Sequence, residues 1–160
     1  TTIQFDFNLP RRFGMSYVGS DGDDHTPFMV HRAIFGSWER FFGMLVEHYA
    51  GNFPLWLAPQ QVSVIPITDD NLEYANQVAD RLLEAGLRVH VDDRNEKMGY
   101  KIREAQLKKI PYMLVVGKRE AEAGEVAVRV RGEGDIGSMS LDSFVERAVE
   151  QVRSRALDLS

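Results

Sequence analysis

Hydrophobic and polar residues change their spacing several times along the first third of the chain. Within residues 1–7, apolar and polar side chains alternate from Ile3 onward, which is typical of a half-buried strand. Residues 15–18 and 28–34 are predicted as further strands on either side of a polar loop. Apolar residues then recur at helical spacing after Ser37, whose hydroxyl can cap the helix, and Gly51 suits its end. The pattern predicts strands followed by one amphipathic helix.

From residue 60 onward, short apolar runs alternate with segments of helical spacing. The predicted strands are residues 62–67, 87–91, 112–117 and 125–131, and the predicted helices are residues 72–83, 97–109 and 140–155. Gly86 and Pro111 suit the ends of the first two helices. Strands that alternate with helices imply an α/β fold with a mixed, mostly parallel, helix-covered sheet, in which the last two strands can pair as a hairpin.

The apolar segment 53–59 lies between these two patterns and contains Pro54 and Pro59. Each proline restricts the preceding residue to an extended backbone, and the apolar character predicts a packed joint instead of a loose tether. The expected division is residues 1–53, a linker over residues 54–59, and residues 60–160. Because the chain starts inside a strand and without Met, we also expect a further domain upstream of it.

The composition is that of an ordinary soluble globular protein. The 160 residues are 44% hydrophobic and 27% charged, enough for one domain or a compact domain with part of another. No apolar run approaches the roughly 20 residues of a membrane span, and nothing at the amino end suggests a secretory leader. The absence of cysteine excludes disulfides and a thiolate metal cage built from this chain alone. We therefore expect a cytoplasmic protein that does not bind membranes.

Charge is distributed unevenly along the chain. The formal net charge is −5, but residues 87–131 carry 11 Lys or Arg against 7 Asp or Glu. Attraction to phosphate is local, since salt screens it over roughly 10 Å, so a basic segment can bind RNA on an acidic protein. Many enzymes also contain basic stretches, so charge alone leaves both interpretations open.

The first predicted helix has a cation where the helix dipole disfavours one. With Ser37 as the cap, Glu39 suits the positive end of the helix but Arg40 does not. A bound phosphate would explain the arginine, because helix amino termini and guanidinium groups both bind phosphate. The alternative is a surface arginine that pairs with a carboxylate such as Glu47.

Lysines recur on one face of the predicted helix 97–109. Lys97, Lys101 and Lys108 are spaced by 4 and 7 residues, which places them side by side. The adjoining face, predicted to pack toward the core, is formed by Met98, Ile102 and Ala105. The lysine face is either an ordinary solvated surface or part of an RNA-binding surface.

The residues around the first predicted helix resemble a known motif. Residues 31–41 read HRAIFGSWERF, which resembles the third signature motif of class II aminoacyl-tRNA synthetases: a strand, a turn and a helix that bears Glu-Arg. Residues 47–51 (EHYAG) and 56–59 (WLAP) resemble the threonyl-tRNA synthetases specifically. The resemblance implies that Arg40 contacts ATP, with Ser37 beside the nucleotide. It also implies that Thr2 faces adenosine and that Gln4 faces threonine.

The same resemblance implies that His31 is one of three zinc ligands, the others being a cysteine and a histidine upstream. A zinc ion with three protein ligands and an open position can bind the amine and hydroxyl of threonine together. Such ligation separates threonine from its isostere valine better than an apolar pocket does. Because the chain has no cysteine, we expect His31 to be one ligand of a zinc site that this chain cannot complete. On spacing alone, a lone histidine near a strand end is usually a satisfied core or surface residue.

A second stretch resembles an RNA-binding domain. Residues 94–103 (RNEKMGYKIR) resemble the anticodon-binding domain of the threonine, proline, histidine and glycine synthetases, as do the later segments 111–112 (PY) and 126–129 (VAVR). The residues that the resemblance places at the anticodon bases and backbone are Asn95, Lys97, Arg103, Lys109, Glu120 and Arg129.

Together the two stretches imply a fragment of an antiparallel class II catalytic sheet followed by an anticodon-binding domain. The implied activity is that of a threonine–tRNA ligase, with threonine tRNA, threonine and ATP with Mg as partners, a homodimeric full-length protein and no contact with DNA. This chain is expected to be its carboxy-terminal, tRNA-recognising part and to be inactive alone.

Two other functions remain open from the sequence. One is a non-catalytic tRNA-binding module, such as a freestanding paralogue of the anticodon domain. The other is a plain nucleotide-binding α/β protein, which is poorly supported because the glycines at 132, 134 and 137 precede no phosphate-loop lysine.

Overall fold

The computed structural model of the protein describes residues 1–159 and divides into two compact units. The first unit is Thr1–His48, and the second begins at Tyr49.

The first unit contains two separate antiparallel strand pairs and two helices. Its elements are β1 (Thr2–Asp6), α1 (Leu9–Arg12), β2 (Tyr17–Val18), β3 (Asp24–His25), β4 (Met29–Ala33) and α2 (Trp38–Tyr49). Strand β1 pairs with β4, and β2 pairs with β3. The strand predicted over residues 1–7 therefore exists, but the prediction that it is half-buried is wrong. Four of the five residues of β1 are exposed.

The second unit is an α/β fold built on a five-stranded sheet. Its elements are β5 (Val62–Pro66), α3 (Leu72–Glu84), β6 (Val89–Val91), α4 (Met98–Leu107), β7 (Tyr112–Val116), α5 (Lys118–Ala123), β8 (Glu125–Val130), β9 (Gly134–Ser140) and α6 (Leu141–Ser154). The strand order is β6-β5-β7-β8-β9. Strand β5 pairs in parallel with β6 and β7, whereas β7–β8 and β8–β9 are antiparallel. The predicted mixed, helix-covered sheet is confirmed. The predicted strands 112–117 and 125–131 pair antiparallel, but helix α5 connects them where the prediction had a hairpin.

Alternating side chains divide this sheet into two packed faces. One face carries Val64 and Leu114 and packs against α3 and α6, burying Leu82 and Phe144 completely. The other face carries a smaller group of residues and packs against α4. The members of that group are Ile65, Ala105, Ile110, Met113 and Val115. The position of α4 matters for function, because the loop that enters it holds two of the predicted RNA-binding residues.

The segment between the two patterns is tied to the second unit by hydrogen bonds to its carbonyl oxygens. Gln61, which is completely buried, donates from Nε2 to the Leu55 carbonyl at 2.8 Å. Arg88 donates from Nε to the Ala58 carbonyl at 3.0 Å. Arg131 donates to the Phe53 carbonyl at 2.9 Å, and burial lowers the pKa of this guanidinium. Since buried carbonyls need partners, these side chains fix the path of residues 53–58.

Four elements were not predicted: the two-residue strand β3, which lies in the predicted polar loop, the helices α1 and α5, and strand β9. Helix α1 has only four residues, and α5 lies where a loop was predicted. Strand β9 reads GDIGSMS, which has low strand propensity. It forms because β8 would otherwise present an unpaired edge, and a register shift at Val128/Arg129 accommodates its irregular pairing.

The sheet interior should be sensitive to loss of volume. Leu114 is completely buried at the centre of β7, so Leu114→Ala is expected to lower the free energy of unfolding by about 2–5 kcal/mol. Leu107 on α4 is 66% exposed, and Leu107→Ala should change it by about 0.5 kcal/mol or less. Urea titrations of both variants measure the difference; equal effects would contradict the described core.

Candidate functional site

The pairing of β1 with β4 brings predicted residues of the first unit together. Gln4 lies opposite His31, and Thr2 lies opposite Ala33. Because alternate residues of a strand share a face, Thr2, Gln4 and His31 lie on one face of this ladder. A cavity of about 590 Å³ there is lined by Gln4, Asp6 and His31, among others. Three of the residues that the resemblance selects are therefore neighbours on one surface.

Asp6 organises the end of β1 beside His31. Its Oδ1 accepts hydrogen bonds from the backbone N–H groups of Asn8 and Leu9 at 2.8 and 2.9 Å. These two bonds, that of Leu9 foremost, hold the pKa of Asp6 below its usual value. The other oxygen, Oδ2, lies 3.6 Å from His31 Nε2. The stronger contacts of Asp6 are therefore those with the backbone, and its contact with His31 is longer and weaker.

The residues of this chain alone do not fit a zinc ion. Structural and catalytic zinc sites use at least three protein ligands. No cluster of three His, Cys, Asp or Glu residues that could hold a metal is found in residues 1–159. Asp6 is a candidate donor near His31, with its Oδ2 3.6 Å from His31 Nε2. A zinc site at His31 would need ligands from outside this chain.

Arg40 lies in the first turn of α2 and is exposed. Its backbone N–H donates to Ser37 Oγ at 3.2 Å, which confirms Ser37 as the helix cap. Across the described residues, the Arg40 guanidinium has no ion pair or side-chain hydrogen bond, so the alternative pairing with Glu47 is not seen. An exposed, unpaired guanidinium beside helix N–H groups suits an anionic ligand.

The first unit leaves many large apolar side chains exposed. Trp38, Phe28 and Phe13 are each about 70% exposed. Further exposed side chains of the same unit are Ile3, Phe5, Phe7, Met15, Tyr17, Val18, Val30, Ile34, Phe35, Phe42, Met44 and Val46. Soluble domains rarely expose so much contiguous apolar surface. Such a surface is typical of part of a larger packed structure.

In the second unit, Asn95 and Lys97 lie in the loop between β6 and α4. Residues 92–97 are called the recognition loop below. Asp92 starts the loop and is 5% exposed. Its carboxylate accepts two hydrogen bonds from Arg94, from Nε at 2.8 Å and Nη2 at 2.7 Å. Those bonds hold the pKa of Asp92 below its usual value, and Arg94 also lies over the Tyr100 ring.

The predicted lysine face of α4 is wrong at Lys101. This side chain is only 5% exposed, and its Nζ donates to the Asp92 carbonyl at 2.9 Å. Lys101 precedes the buried Ala105 by one helical turn, so it lies on the side of α4 that packs on the sheet. The buried side of α4 starts at Lys101, and Met98, predicted to pack on the core, is instead 40% exposed at the first helical position.

The positive charge of residues 87–131 overstates the cations available to RNA. Cations of this segment that bond carbonyl or carboxylate groups of the second unit are Arg88, Arg94, Lys101, Lys109, Arg129 and Arg131. Within residues 1–159, the charged groups of Lys97, Arg103, Lys108 and Arg119 have no such partner. Roughly half of the basic segment therefore serves the fold, which charge counting could not reveal.

The remaining predicted RNA-binding residues lie in different elements. Arg103 is exposed on α4, and Lys109 follows that helix, with its Nζ donating to the Ala50 carbonyl. In α5, Glu120 accepts a hydrogen bond from the Gly117 N–H at 2.9 Å. On β8, Arg129 donates from Nη1 to Asp135 at 2.9 Å, while its Nε is buried without a partner.

The structure brings only part of this set together. The recognition loop follows β6 and Glu120 follows β7, so both lie at the carboxyl edge of the parallel strands. Thr68, at the end of β5, lines a cavity of about 260 Å³ with Asn95 and another of about 670 Å³ with Gly117. Arg129 instead pairs with Met113, roughly 13 Å along β7 from that edge. Lys109 precedes β7 and lies toward the opposite edge.

Sequence reasoning missed the contacts that join Asp92, Arg94 and Lys101. Their signal is weak, because an acidic residue after a strand and a lysine one turn into a helix are common surface features. Only the burial of Asp92 and Lys101 distinguishes them.

The depressed pKa of Asp92 predicts how its contribution depends on pH. Asp92→Asn is expected to lower the free energy of unfolding by about 1–2 kcal/mol at neutral pH, since it weakens two charge-assisted bonds to a half-exposed arginine. A carboxylate with a lowered folded-state pKa stabilises fully above its unfolded value near ~4 and loses this effect as pH falls through the folded value. The difference between wild type and variant should therefore be constant above about pH 5 and shrink below about pH 4.

Urea titrations over a pH series measure this difference. Asp80→Asn, at an exposed position of α3, is the control and should change the stability by about 0.5 kcal/mol or less. A difference for Asp92→Asn that grows as pH falls would contradict the proposed sign.

Two sequence families match the chain. Residues 61–151 match the family described as anticodon binding domain. Residues 1–49 match the tRNA synthetase class II core domain (G, H, P, S and T). None of the helices in residues 1–159 is both long and apolar enough to cross a bilayer.

Curated relatives match both units in one alignment. The chain is 57% identical over 156 residues to a threonine–tRNA ligase of Caldanaerobacter subterraneus subsp. tengcongensis, covering 98% of this chain and 24% of that protein. It is 59% identical over 157 residues to the threonine–tRNA ligase of Symbiobacterium thermophilum, covering 98% and 24%. The chain thus spans about a quarter of the length of the curated relatives it matches.

Solved structures share the fold. The RNA binding domain of threonyl-tRNA synthetase from Cryptosporidium parvum Iowa II superimposes with a TM-score of 0.69 at 36% identity, covering 92% of this chain and 38% of that one. Prolyl-tRNA synthetase from Cryptosporidium parvum gives a TM-score of 0.56 at 23% identity, covering 92% and 34%, and supports the fold alone.

Proposed function

Over residues 61–151 the chain belongs to the anticodon-binding domain family, and we propose that the whole chain is the carboxy-terminal, tRNA-recognising part of a threonine–tRNA ligase. The observation that carries this proposal is the 57% identity to a threonine–tRNA ligase, which extends over 98% of the chain and includes both units. The apolar surface of the first unit supports it further, because the rest of a catalytic domain would cover those side chains. We propose residues 1–53, 54–59 and 60–160 as catalytic fragment, linker and anticodon-binding domain.

In the full-length protein, the first unit would contribute to activation of threonine by ATP with Mg. Arg40 would bind the nucleotide through its charge and would stabilise phosphate charge as the reaction proceeds, without transferring a proton. Ser37 would lie beside the nucleotide, while Thr2 and Gln4 would face adenosine and threonine. The shared face of Thr2, Gln4 and His31 supports placing these contacts on one surface.

His31 would hold zinc only together with ligands from outside this chain, since the donors present here do not suffice. When bound, such an ion would distinguish the hydroxyl of threonine from the methyl group of valine. The contribution of this chain is the orientation of the His31 ring, which Asp6 Oδ2 faces at 3.6 Å.

The second unit would recognise the anticodon of threonine tRNA. Asn95 and Lys97 in the recognition loop offer an amide and an ammonium near the carboxyl edge of the sheet, and Glu120 offers a carboxylate there. An amide and a carboxylate can distinguish base edges, whereas a lysine such as Lys97 binds backbone phosphates. Lys109 would contribute mainly its charge, since its Nζ already donates to the Ala50 carbonyl. Arg103 and Arg129 would extend this surface along α4 and β8.

We further propose a cytoplasmic location and a homodimer for the full-length protein. Aminoacylation by the full-length protein tests the proposed activity. It should attach threonine to threonine tRNA in an ATP-dependent reaction and should discriminate against valine, while the isolated chain should show no threonine-dependent ATP–pyrophosphate exchange. A start codon directly before this chain, without a catalytic domain upstream, would favour the non-catalytic tRNA-binding module instead.

A further inference from the structure

We propose that Asp92 and Lys101 are positioning residues for anticodon recognition: the contact of Lys101 with the Asp92 carbonyl and the contact of the Asp92 carboxylate with Arg94 together set the conformation of the recognition loop that presents Asn95 and Lys97. The inference rests on the proposed function of the second unit. It concerns two residues that no RNA can touch in the folded protein, since each is 5% exposed.

The loop is held at Asp92 from both sides. The Asp92 backbone N–H donates to the Val64 carbonyl at 2.9 Å, which extends the pairing of β6 with β5 by one residue. The Asp92 carbonyl accepts from Lys101 Nζ at 2.9 Å. The loop therefore leaves the sheet from a residue whose N–H is fixed by β5 and whose carbonyl is fixed by α4.

The far end of the loop is fixed by the same helix. The Lys97 carbonyl accepts from the N–H groups of Tyr100 at 2.8 Å and Lys101 at 3.1 Å, as the first turn of α4 forms. Lys101 thus contacts both ends of the loop, Lys97 through its backbone and Asp92 through its side chain. Between these ends, Arg94 is bound to the Asp92 carboxylate. Within residues 92–97, the Asn95 side chain makes no hydrogen bond to the described chain. Its amide would therefore be presented to RNA.

The burial of the Lys101 ammonium is explained by its contact with the recognition loop. Removing a charged lysine from water is costly, and an apolar residue of similar size at a helix–sheet contact is often at least as stabilising. The Lys101 ammonium donates to one backbone carbonyl, that of Asp92, and its charge also favours the ionised Asp92 carboxylate. Both groups belong to the recognition loop. Its contribution is therefore expected in the geometry of that loop more than in overall stability.

The test uses the chain of residues 1–160 and two RNA hairpins, one with a threonine anticodon loop and one in which only the anticodon is altered. Dissociation constants for both hairpins give a discrimination ratio for wild type, Lys101→Met and Asp92→Asn. Gln151→Leu is the control, because Gln151 is also buried, at 8% exposed, and accepts a hydrogen bond from the Tyr112 hydroxyl at 2.7 Å; it lies on α6, on the other face of the sheet. Thermal melts confirm that each variant is folded at the assay temperature.

Both loop variants should lose about tenfold or more of the discrimination ratio, mainly through weaker binding of the cognate hairpin, because misplaced base contacts cost specificity while phosphate contacts persist. Gln151→Leu should keep the wild-type discrimination ratio even if its melting temperature falls as much as that of Lys101→Met or Asp92→Asn. If Lys101→Met does not fold, Asp92→Asn alone decides, since it retains the side-chain shape and the backbone carbonyl.

Discrimination that survives in a folded Asp92→Asn variant would overturn the inference and leave the proposed function intact. Equal loss in Gln151→Leu would also overturn it, because the effect would then follow stability alone. Absence of discrimination in the wild type would overturn the proposed function itself and the inference with it.

Discussion

Arg40→Ala in the full-length protein is expected to lower threonine-dependent ATP–pyrophosphate exchange by about a hundred- to a thousand-fold, the usual cost of removing one charged group that stabilises a transition state. The reason lies in the exposed position of Arg40 beside the capped amino end of α2, where its guanidinium has no protein partner in the described chain. Steady-state exchange rates at varied ATP concentration measure the effect on kcat/KM.

Arg32→Ala is the matched control for this prediction. Arg32 pairs with Ile3, whereas the proposed substrate residues share the register of Gln4 and His31, so Arg32 lies on the other face of the ladder. Its replacement should leave the exchange rate within about threefold of wild type, the range of ordinary surface changes. An Arg40→Ala variant as active as Arg32→Ala would remove Arg40 from the nucleotide site.

Arg129→Ala is expected to weaken binding of the cognate anticodon hairpin by about ten- to a hundred-fold, the range for an arginine that contacts a base. The Nε of Arg129 is buried without a partner, and only Nη1 is bound, to Asp135 at 2.9 Å. The Arg129 side chain is 27% exposed, so the proposed RNA contact uses the exposed part of this side chain and not the buried Nε. Binding of cognate and altered hairpins to the variant measures the loss.

The control for Arg129→Ala removes an equal charge elsewhere. Arg153 on α6 is exposed and pairs with Glu150, and α6 covers the other face of the sheet. Arg153→Ala should change hairpin affinity by about twofold or less, since one distant exposed charge contributes little at moderate salt. Equal losses in both variants would indicate a general electrostatic effect and would contradict a specific role for Arg129.

Much of the fold could be predicted because its strands and helices carry strong periodic patterns. The completely buried strands β5 and β7 were predicted from their apolar runs, and the cap at Ser37 followed from its hydroxyl. Strand β9 was missed because its residues have low strand propensity and it exists through pairing with β8. Such an element depends on its neighbour, which local sequence does not describe.

The candidate site could be predicted less completely, for a different physical reason. Register in the β1–β4 ladder places Gln4 opposite His31, a relation that separate strands do not reveal. Lys101 was grouped with Lys97 and Lys108 by spacing, but helix packing turned it toward the sheet. Lysine spacing identifies a helix face; the tertiary contacts of α4 decide which part of that face meets solvent.

The measurement that tests the central claim most directly is binding of a threonine anticodon hairpin to this chain at two salt concentrations, with an altered anticodon as control. The cognate hairpin is expected to bind at least about tenfold more tightly than the hairpin with the altered anticodon. This ratio should persist between about 50 and 200 mM salt, while both affinities fall. Equal affinities that vanish together at the higher salt would contradict it, because the second unit would then bind RNA only through its charge.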